Sequence, residues 1–134
     1  DDPHEQLFEH YQETLTALNT QKDYTPILRH FEQHMLKELG YALTLNDDAV
    51  SGKPLNPDED YYYEVERGPV VVNGSDNNCG LQLRGKTLLD MEKNDYSDAT
   101  TRQQSKILMR YILNHYLGER PLYTRQLLRD LQKL

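Results

Sequence analysis

Two long segments with helical spacing enclose a central stretch that lacks it, and this order limits the fold more than any other feature. Residues 25–39 begin with a threonine N-cap followed by proline and end at Gly40. Their spacing predicts a buried stripe made of Ile27, Phe31, His34, Met35 and Leu39. The same spacing over residues 98–117 predicts a core face made of Ile107, Leu108, Tyr111, Ile112 and His115.

The central stretch has the composition of turns and short strands. Residues 46–60 are rich in Asn, Asp, Gly and Pro, and residues 61–66 and 69–72 predict two strands joined at Arg67-Gly68, with a third at 81–83. Further helices are predicted at about 5–19, 86–93 and 124–132. The expected fold is therefore mainly α, a single domain over 1–134 with a small antiparallel β-hairpin insert at about 61–83.

Composition predicts a soluble globular domain from a reducing compartment. The 134 residues suffice for one core, and the single cysteine excludes a disulfide framework. No apolar run reaches the ~20 residues of a membrane helix. Because the sequence does not begin with Met, we expect it to be a fragment of a longer protein.

Motifs that would indicate an enzyme or a metal site are incomplete. His30 and His34 are four residues apart, but Glu32 is one position too late for a zinc-protease helix, and His34 fits the core stripe better. Cys79 has no recognisable activating base, and no glycine loop has a phosphate-binding context. We therefore expect neither catalytic residues nor a cofactor. The Tyr61–Tyr63 run lies beside acidic residues, which favours packing over base stacking.

Positive charge is concentrated at the C-terminal end of an acidic chain with net charge −7. Residues 1–101 hold eight Lys and Arg against twenty Asp and Glu, whereas residues 102–134 hold seven against two. A local surface of this kind attracts a polyanion, although a solvated helix face gives the same pattern. A direct DNA-binding role is therefore an alternative function, through Arg102, Lys106, Arg110, Arg120, Arg125 and Arg129.

A second basic feature lies on the 25–39 helix, where Arg29 and Leu36 project within about 20° of each other, away from the predicted stripe. An Arg fork beside an apolar side chain suits a short acidic peptide with a hydrophobic anchor. If both lie outside the core, Arg29→Glu should abolish peptide binding and leave the fold intact.

The sequence resembles the C-terminal domain of the bacterial recombination mediators of the RecO family. The similarity begins with residues 27–32, Leu36 and 39–41, and continues at Ser51-Gly52 with Pro54 and at residues 83–88. It closes with residues 116–118, Pro121-Leu122 and 124–127, and so extends over essentially the whole chain.

The resemblance implies a protein-interaction domain of a cytoplasmic repair mediator. RecO-family proteins anneal DNA strands, act with RecR and help to load RecA onto DNA coated with single-strand-binding protein (SSB). They contact single- and double-stranded DNA mainly through an N-terminal OB-fold that this chain lacks. The C-terminal domain captures the acidic, hydrophobically ending tail of SSB, and the corresponding residues here are Arg29, Leu36, Leu28 and Gln33.

One departure concerns metal. Many members of the family hold zinc with two Cys-x-x-Cys pairs, but the first pair corresponds here to Asp48 and Ser51, and the second is reduced to Cys79. Four thiolates cannot be assembled from these residues. We expect no metal, and we expect the tyrosine-rich hairpin to hold the insert by packing.

Overall fold

The computed structural model describes residues 23–72 and 80–118, together with residues 9, 10, 13, 126, 129, 130 and 133. Three helices and one antiparallel sheet are described, so the predicted class, mainly α with a β insert, is confirmed. The chain divides into two compact units. One joins Asp1–Ala42 with Leu113–Leu134, and the other is Leu43–Ile112. The helices predicted at 5–19 and 124–132 lie largely outside the described residues.

Helix α1 spans Thr25–Glu38 in the first unit. Its N-cap is Tyr24, which makes no side-chain cap hydrogen bond, so the prediction of Thr25 as the N-cap is wrong. Pro26 stands in its first turn, where the missing N–H costs nothing, and the helix ends before Gly40, whose φ of +94° suits glycine. In the same unit the rings of Tyr41 and Tyr116 stack with their centroids 4.1 Å apart. Leu117, next to this stack in sequence, is buried.

The second unit contains a three-stranded antiparallel sheet of order β2-β1-β3, formed by β1 (Asp60–Glu64), β2 (Gly68–Val71) and β3 (Leu81–Arg84). Tyr61 and Tyr63 are buried, and they alternate with the half-buried Tyr62 and Glu64. The predicted packing role of these tyrosines is thereby confirmed. Pro69 lies on the edge strand β2, where its missing N–H does not interrupt a ladder.

Two helices follow the sheet, α2 (Gly85–Glu92) and α3 (Ala99–Leu117). Gly85 allows the chain to pass close to the loop before β1, because a Cβ there would overlap the carbonyl oxygen of Asn56. Asp98 is the N-cap of α3, and its carboxylate accepts the N–H of Thr101 at 3.0 Å. No described helix combines the length and the apolar character that crossing a membrane demands.

The buried faces of α1 and α3 are rotated by about one residue, ~100°, from the predicted ones. Phe31, Met35, Leu108 and Ile112 are buried as predicted, and the other predicted core residues are exposed or half-buried. The buried residues of α1 are Leu28, Arg29, Phe31, Glu32, Met35 and Leu36, while Ile27 and His34 are exposed. In α3 the buried apolar residues are Leu108, Met109, Ile112, Leu113 and Leu117, whereas Ile107, Tyr111 and His115 are exposed. In both helices polar residues occupy part of the buried face, which periodicity of apolar residues alone does not register.

Candidate functional site

Arg29, which the sequence analysis predicts to bind an acidic peptide, instead forms an internal ion pair on α1. Arg29 and Glu32 are one helical turn apart, and their side chains are each only 4% exposed. Arg29 Nε lies 2.8 Å from Glu32 Oε1, although the two atoms do not meet hydrogen-bond angles. The attraction is therefore mainly ionic, in a position with little water to screen it.

The other residues predicted to contact the peptide are also buried or half-buried. Leu28 is 1% exposed and Leu36 is not exposed at all, while Gln33 is half-buried and has its own contact within the chain. The prediction that Arg29 and Leu36 lie outside the core is wrong, because the buried face of α1 is rotated from the predicted one. Pairing with Glu32 offsets the cost of burying the Arg29 charge. A role for these residues in tail binding stays a prediction, since a peptide could reach their buried side chains only if neighbouring side chains moved away.

The basic residues predicted at the C-terminal end have different environments. Arg110 is exposed, whereas Arg102 and Lys106 are half-buried and lie beside the core face of α3. Arg129 is exposed and donates to Gln126 Oε1 at 2.8 Å. Arg120 and Arg125 lie outside the described residues. Helix α3 contains no Asp or Glu in its 19 residues, in a chain that has 22 acidic residues in all.

Two apolar residues of α3 that the sequence predicts to be in the core are exposed in the structure. Ile107 is 44% exposed and Tyr111 is 42% exposed, and both lie on the same side of the helix as Arg110. Thr101 and Ser105 are fully buried on the opposite side. Thr101, Ser105 and Leu108 are separated by four and then three residues. Counting the small polar residues together with the apolar ones therefore gives the buried face that the structure shows.

The loop before the sheet is closed by the Asp48 carboxylate. Asp48 is 8% exposed, and its Oδ1 accepts the N–H of Val50 at 2.8 Å and of Ser51 at 3.1 Å. Backbone hydrogen bonds between Asp48 N–H and Lys53 and between Gly52 N–H and Asp48 complete a compact turn. The loop is therefore ordered by an Asx-type turn, in which a carboxylate satisfies two backbone donors.

Two tyrosine hydroxyls attach the same loop to the sheet. Tyr61 Oη accepts the N–H of Asn56 at 2.8 Å, and Tyr63 Oη accepts the N–H of Thr44 at 3.3 Å. The backbone adds a third attachment, since Ala49 N–H donates to the Pro69 carbonyl at 2.7 Å. The tyrosines thus bury their rings and satisfy loop donors at the same time.

These residues do not fit the zinc site found in many RecO-family proteins. At the positions of the first ligand pair, Asp48 is already engaged by two backbone donors, and Ser51 offers a neutral hydroxyl instead of a thiolate. No group of three His, Cys, Asp or Glu suited to a metal occurs in the described part of the chain, and Cys79 lies outside that part.

A groove of about 810 Å³ runs between this loop and β2. Its walls mix the apolar side chains of Val50, Pro54 and Tyr62 with charged ones of both signs, including Lys53 and Glu59. Glu64 and Arg67 in the same wall pair with each other at 2.9 Å. The groove therefore has no charge preference that would identify a ligand.

A polar cluster joins β3, α2 and α3 in the second unit. Arg84 Nη2 donates to Asp98 Oδ2 at 2.6 Å, and the Thr101 hydroxyl donates to buried Asp90 at 2.7 Å. The backbone N–H of Thr101, followed by the Arg84 hydrogen bond, lowers the pKa of Asp98 to about 2. A hydrogen bond to Asp90 likewise raises the pKa of Lys86. The side chains of this cluster bind one another, so a structural role explains them and no ligand is needed.

Comparison with known proteins confirms the resemblance drawn from the motifs. Residues 1–126 match the family model described as Recombination protein O C terminal. Proteins named DNA repair protein RecO are 56% identical in Nitrosospira multiformis, over 99% of this chain, and 48% identical in Ralstonia nicotianae, over 100% of it. The chain spans 55% and 49% of those two relatives, about half their length. The chain therefore belongs to the RecO family of DNA repair and recombination proteins, and it corresponds to the family's C-terminal region.

Proposed function

We propose that this region is a non-catalytic interaction domain that captures the acidic C-terminal tail of SSB. In the complete cytoplasmic protein it would act with RecR in strand annealing and in loading RecA, while an OB-fold elsewhere contacts single- and double-stranded DNA. The observation that carries the proposal is membership of the RecO C-terminal family over nearly the whole chain.

The distribution of charge supports a peptide partner of this kind. A chain with net charge −7 repels acidic ligands at a distance, so capture requires a local basic surface. Helix α3, which carries no carboxylate, is such a place among the described residues, whereas Arg29 is buried and paired with Glu32. At Arg29, a tail carboxylate would have to replace Glu32 as the partner of the guanidinium.

Fluorescence anisotropy with a labelled SSB tail peptide tests the proposal. We expect saturable binding in the micromolar range, about −8 kcal/mol, which weakens as salt screens the carboxylates. The same peptide lacking its acidic residues should not bind. Equal binding of both peptides, or of neither, would contradict the proposed function.

The assignment of Arg29 needs a separate variant. Arg29→Lys keeps the charge beside Glu32 but loses the planar fork, so it should weaken the tail complex if Arg29 is the contact. Lys37→Ala is the matched control, because Lys37 is an exposed cation on the same helix. Loss of affinity in Lys37→Ala but not in Arg29→Lys would remove Arg29 from the site.

Direct DNA binding through the 102–133 surface is the second candidate function, and the absence of carboxylates on α3 favours it. It predicts affinity for an oligonucleotide that falls steeply with salt concentration, because bound counterions are released from the phosphates. A filter-binding titration at two salt concentrations separates it from peptide capture, which loses less affinity over the same change.

A further inference from the structure

Two histidines on α1, His30 and His34, form an exposed pair that the proposed peptide capture does not use. The sequence favours a core position for His34, but the structure leaves its side chain 47% exposed. His30 is exposed one turn earlier on the same helix. Residues four apart on a helix are neighbours on its surface, so the two imidazole rings can reach a common point in solvent.

Both imidazoles keep ring nitrogens available for a ligand. Among the residues that the structure describes, His30 has no hydrogen bond, ion pair or ring contact. His34 Nε2 lies 3.7 Å from Glu38 Oε1, which is longer than a hydrogen bond, and the His34 ring meets the His10 ring edge-on with the centroids 6.2 Å apart. Neither contact of His34 occupies both of its nitrogens.

The chemistry of the pair suits a transition metal. Neutral imidazole binds divalent ions such as Ni²⁺, Cu²⁺ and Zn²⁺, and two histidines four apart on one helix face hold a single zinc ion in metalloproteases. Glu38 lies one turn beyond His34, where a carboxylate can accept the second ring N–H of a metal-bound imidazole and so fix its orientation. The net charge of −7 also favours a cation.

We propose that His30 and His34 chelate a divalent transition-metal ion on the exposed face of α1. Water completes the coordination, as the tetragonal N and O ligand sets of Ni²⁺ and Cu²⁺ allow, so the site does not depend on a third protein ligand. The described residues offer no group of three, and the His10 ring instead packs against Phe31 with the centroids 5.3 Å apart.

This site is distinct from the loop at Asp48 and Ser51, which lies in the other compact unit and has lost its thiolates. Its ligands are held together only while α1 is helical, because residues four apart do not share a face in an unfolded chain. The ion therefore binds the folded state more tightly and stabilises it. Removing either imidazole turns a two-point contact into a single one, which should weaken binding about a hundredfold.

Calorimetric titration of Ni²⁺ into the 134-residue chain, treated with EDTA and dialysed, tests the proposal together with urea unfolding. Ni²⁺ is the probe because, unlike Cu²⁺, it does not oxidise the single cysteine. We expect saturable binding and a higher urea midpoint with Ni²⁺, and neither effect with Mg²⁺, which prefers oxygen ligands. His30→Ala and His34→Ala should each weaken binding about a hundredfold and lose the shift, while their metal-free midpoints stay at the wild-type value.

His115→Ala is the matched control, because His115 is an exposed histidine on α3, and it should bind Ni²⁺ like the wild-type chain. Equal weakening in His115→Ala, or wild-type affinity in His30→Ala, would overturn the chelate. Weakening in His10→Ala and His34→Ala but not in His30→Ala would place the ion between His10 and His34 and refute the pairing. The proposal does not rest on peptide capture, and the titration contains no peptide, so failure of one leaves the other unaffected.

Discussion

Removing the cation of the Arg29–Glu32 pair should strongly destabilise the protein. Both side chains are 4% exposed, so Arg29→Met leaves the Glu32 carboxylate in a site with almost no access to water. Removing one partner of a buried ion pair costs about 3–5 kcal/mol. Glu32 has a further interaction within the chain, which places the expected loss near 3 kcal/mol. A domain of this size has a free energy of unfolding of about 5–15 kcal/mol, so the loss is a large fraction of it.

A double-mutant cycle isolates the pair from the packing around it. Replacing both residues, Arg29→Met with Glu32→Leu, leaves no charge to desolvate, and such replacements are neutral or stabilising by about 1–4 kcal/mol. The double variant should therefore be at least as stable as wild-type protein. Because each single replacement leaves an unpaired buried charge at a cost of about 3 kcal/mol, the magnitude of the coupling free energy should be about 6 kcal/mol. Urea unfolding followed by far-UV circular dichroism measures all four proteins.

Arg29→Glu should be less stable than Arg29→Met, because it places two carboxylates one turn apart in the same buried position. This outcome is opposite to the intact fold expected from the sequence. Lys37→Met is the control, since Lys37 is exposed on the same helix and should leave the urea midpoint unchanged. A wild-type midpoint for Arg29→Met would refute the reasoning, and would mean that water and ligands reach this guanidinium.

Three further predictions follow from the second unit. Asp48→Ala leaves two backbone donors without their acceptor and should cost about 1–3 kcal/mol in urea unfolding, while EDTA should leave the wild-type melting temperature unchanged. Because the pKa of Asp98 is about 2 when folded and ~3.9 when unfolded, its stabilising effect is complete above pH 4 and is lost as the pH falls towards 2. Asp98→Asn should flatten that part of the acid-unfolding curve, and an unchanged curve would contradict the cause. Gly85→Ala should lower the melting temperature, because its Cβ overlaps the Asn56 carbonyl, whereas Gly52→Ala meets no atom and should cost only the strain of a positive φ.

Element type followed from the sequence because the signals were local. The proline in the first turn of α1, the glycine after its end, and the run of tyrosines in β1 each act within a few residues. Which face of a helix is buried depends instead on all the surfaces that pack against it. Apolar spacing alone favoured Ile27 and Tyr111 as core residues, and the structure exposes both.

The burial of polar residues in the candidate site was harder to predict from the sequence, because it depends on pairing with other side chains that apolar spacing does not take into account. Arg29 and Glu32 stand three residues apart, which permits pairing, yet the same spacing occurs on exposed helices, where such pairs contribute little. Thr101 is buried because its hydroxyl donates to Asp90, eleven residues earlier. Partners at that separation are set by tertiary contacts, so the spacing of apolar residues alone did not identify the buried polar residues of α3.

The burial of Arg29 and the exposure of the α3 face lead to different binding kinetics. A peptide that binds at Arg29 must displace Glu32, so its association is slowed by the free energy of opening the pair. A peptide that binds at the exposed side chains of Ile107 and Tyr111 meets a formed surface and associates at a rate limited by diffusion and charge. Glu32→Gln should therefore accelerate association only in the first case, because it removes the competing carboxylate. Stopped-flow anisotropy distinguishes the two cases, and an association rate that is unchanged by Glu32→Gln would exclude Arg29 as the contact.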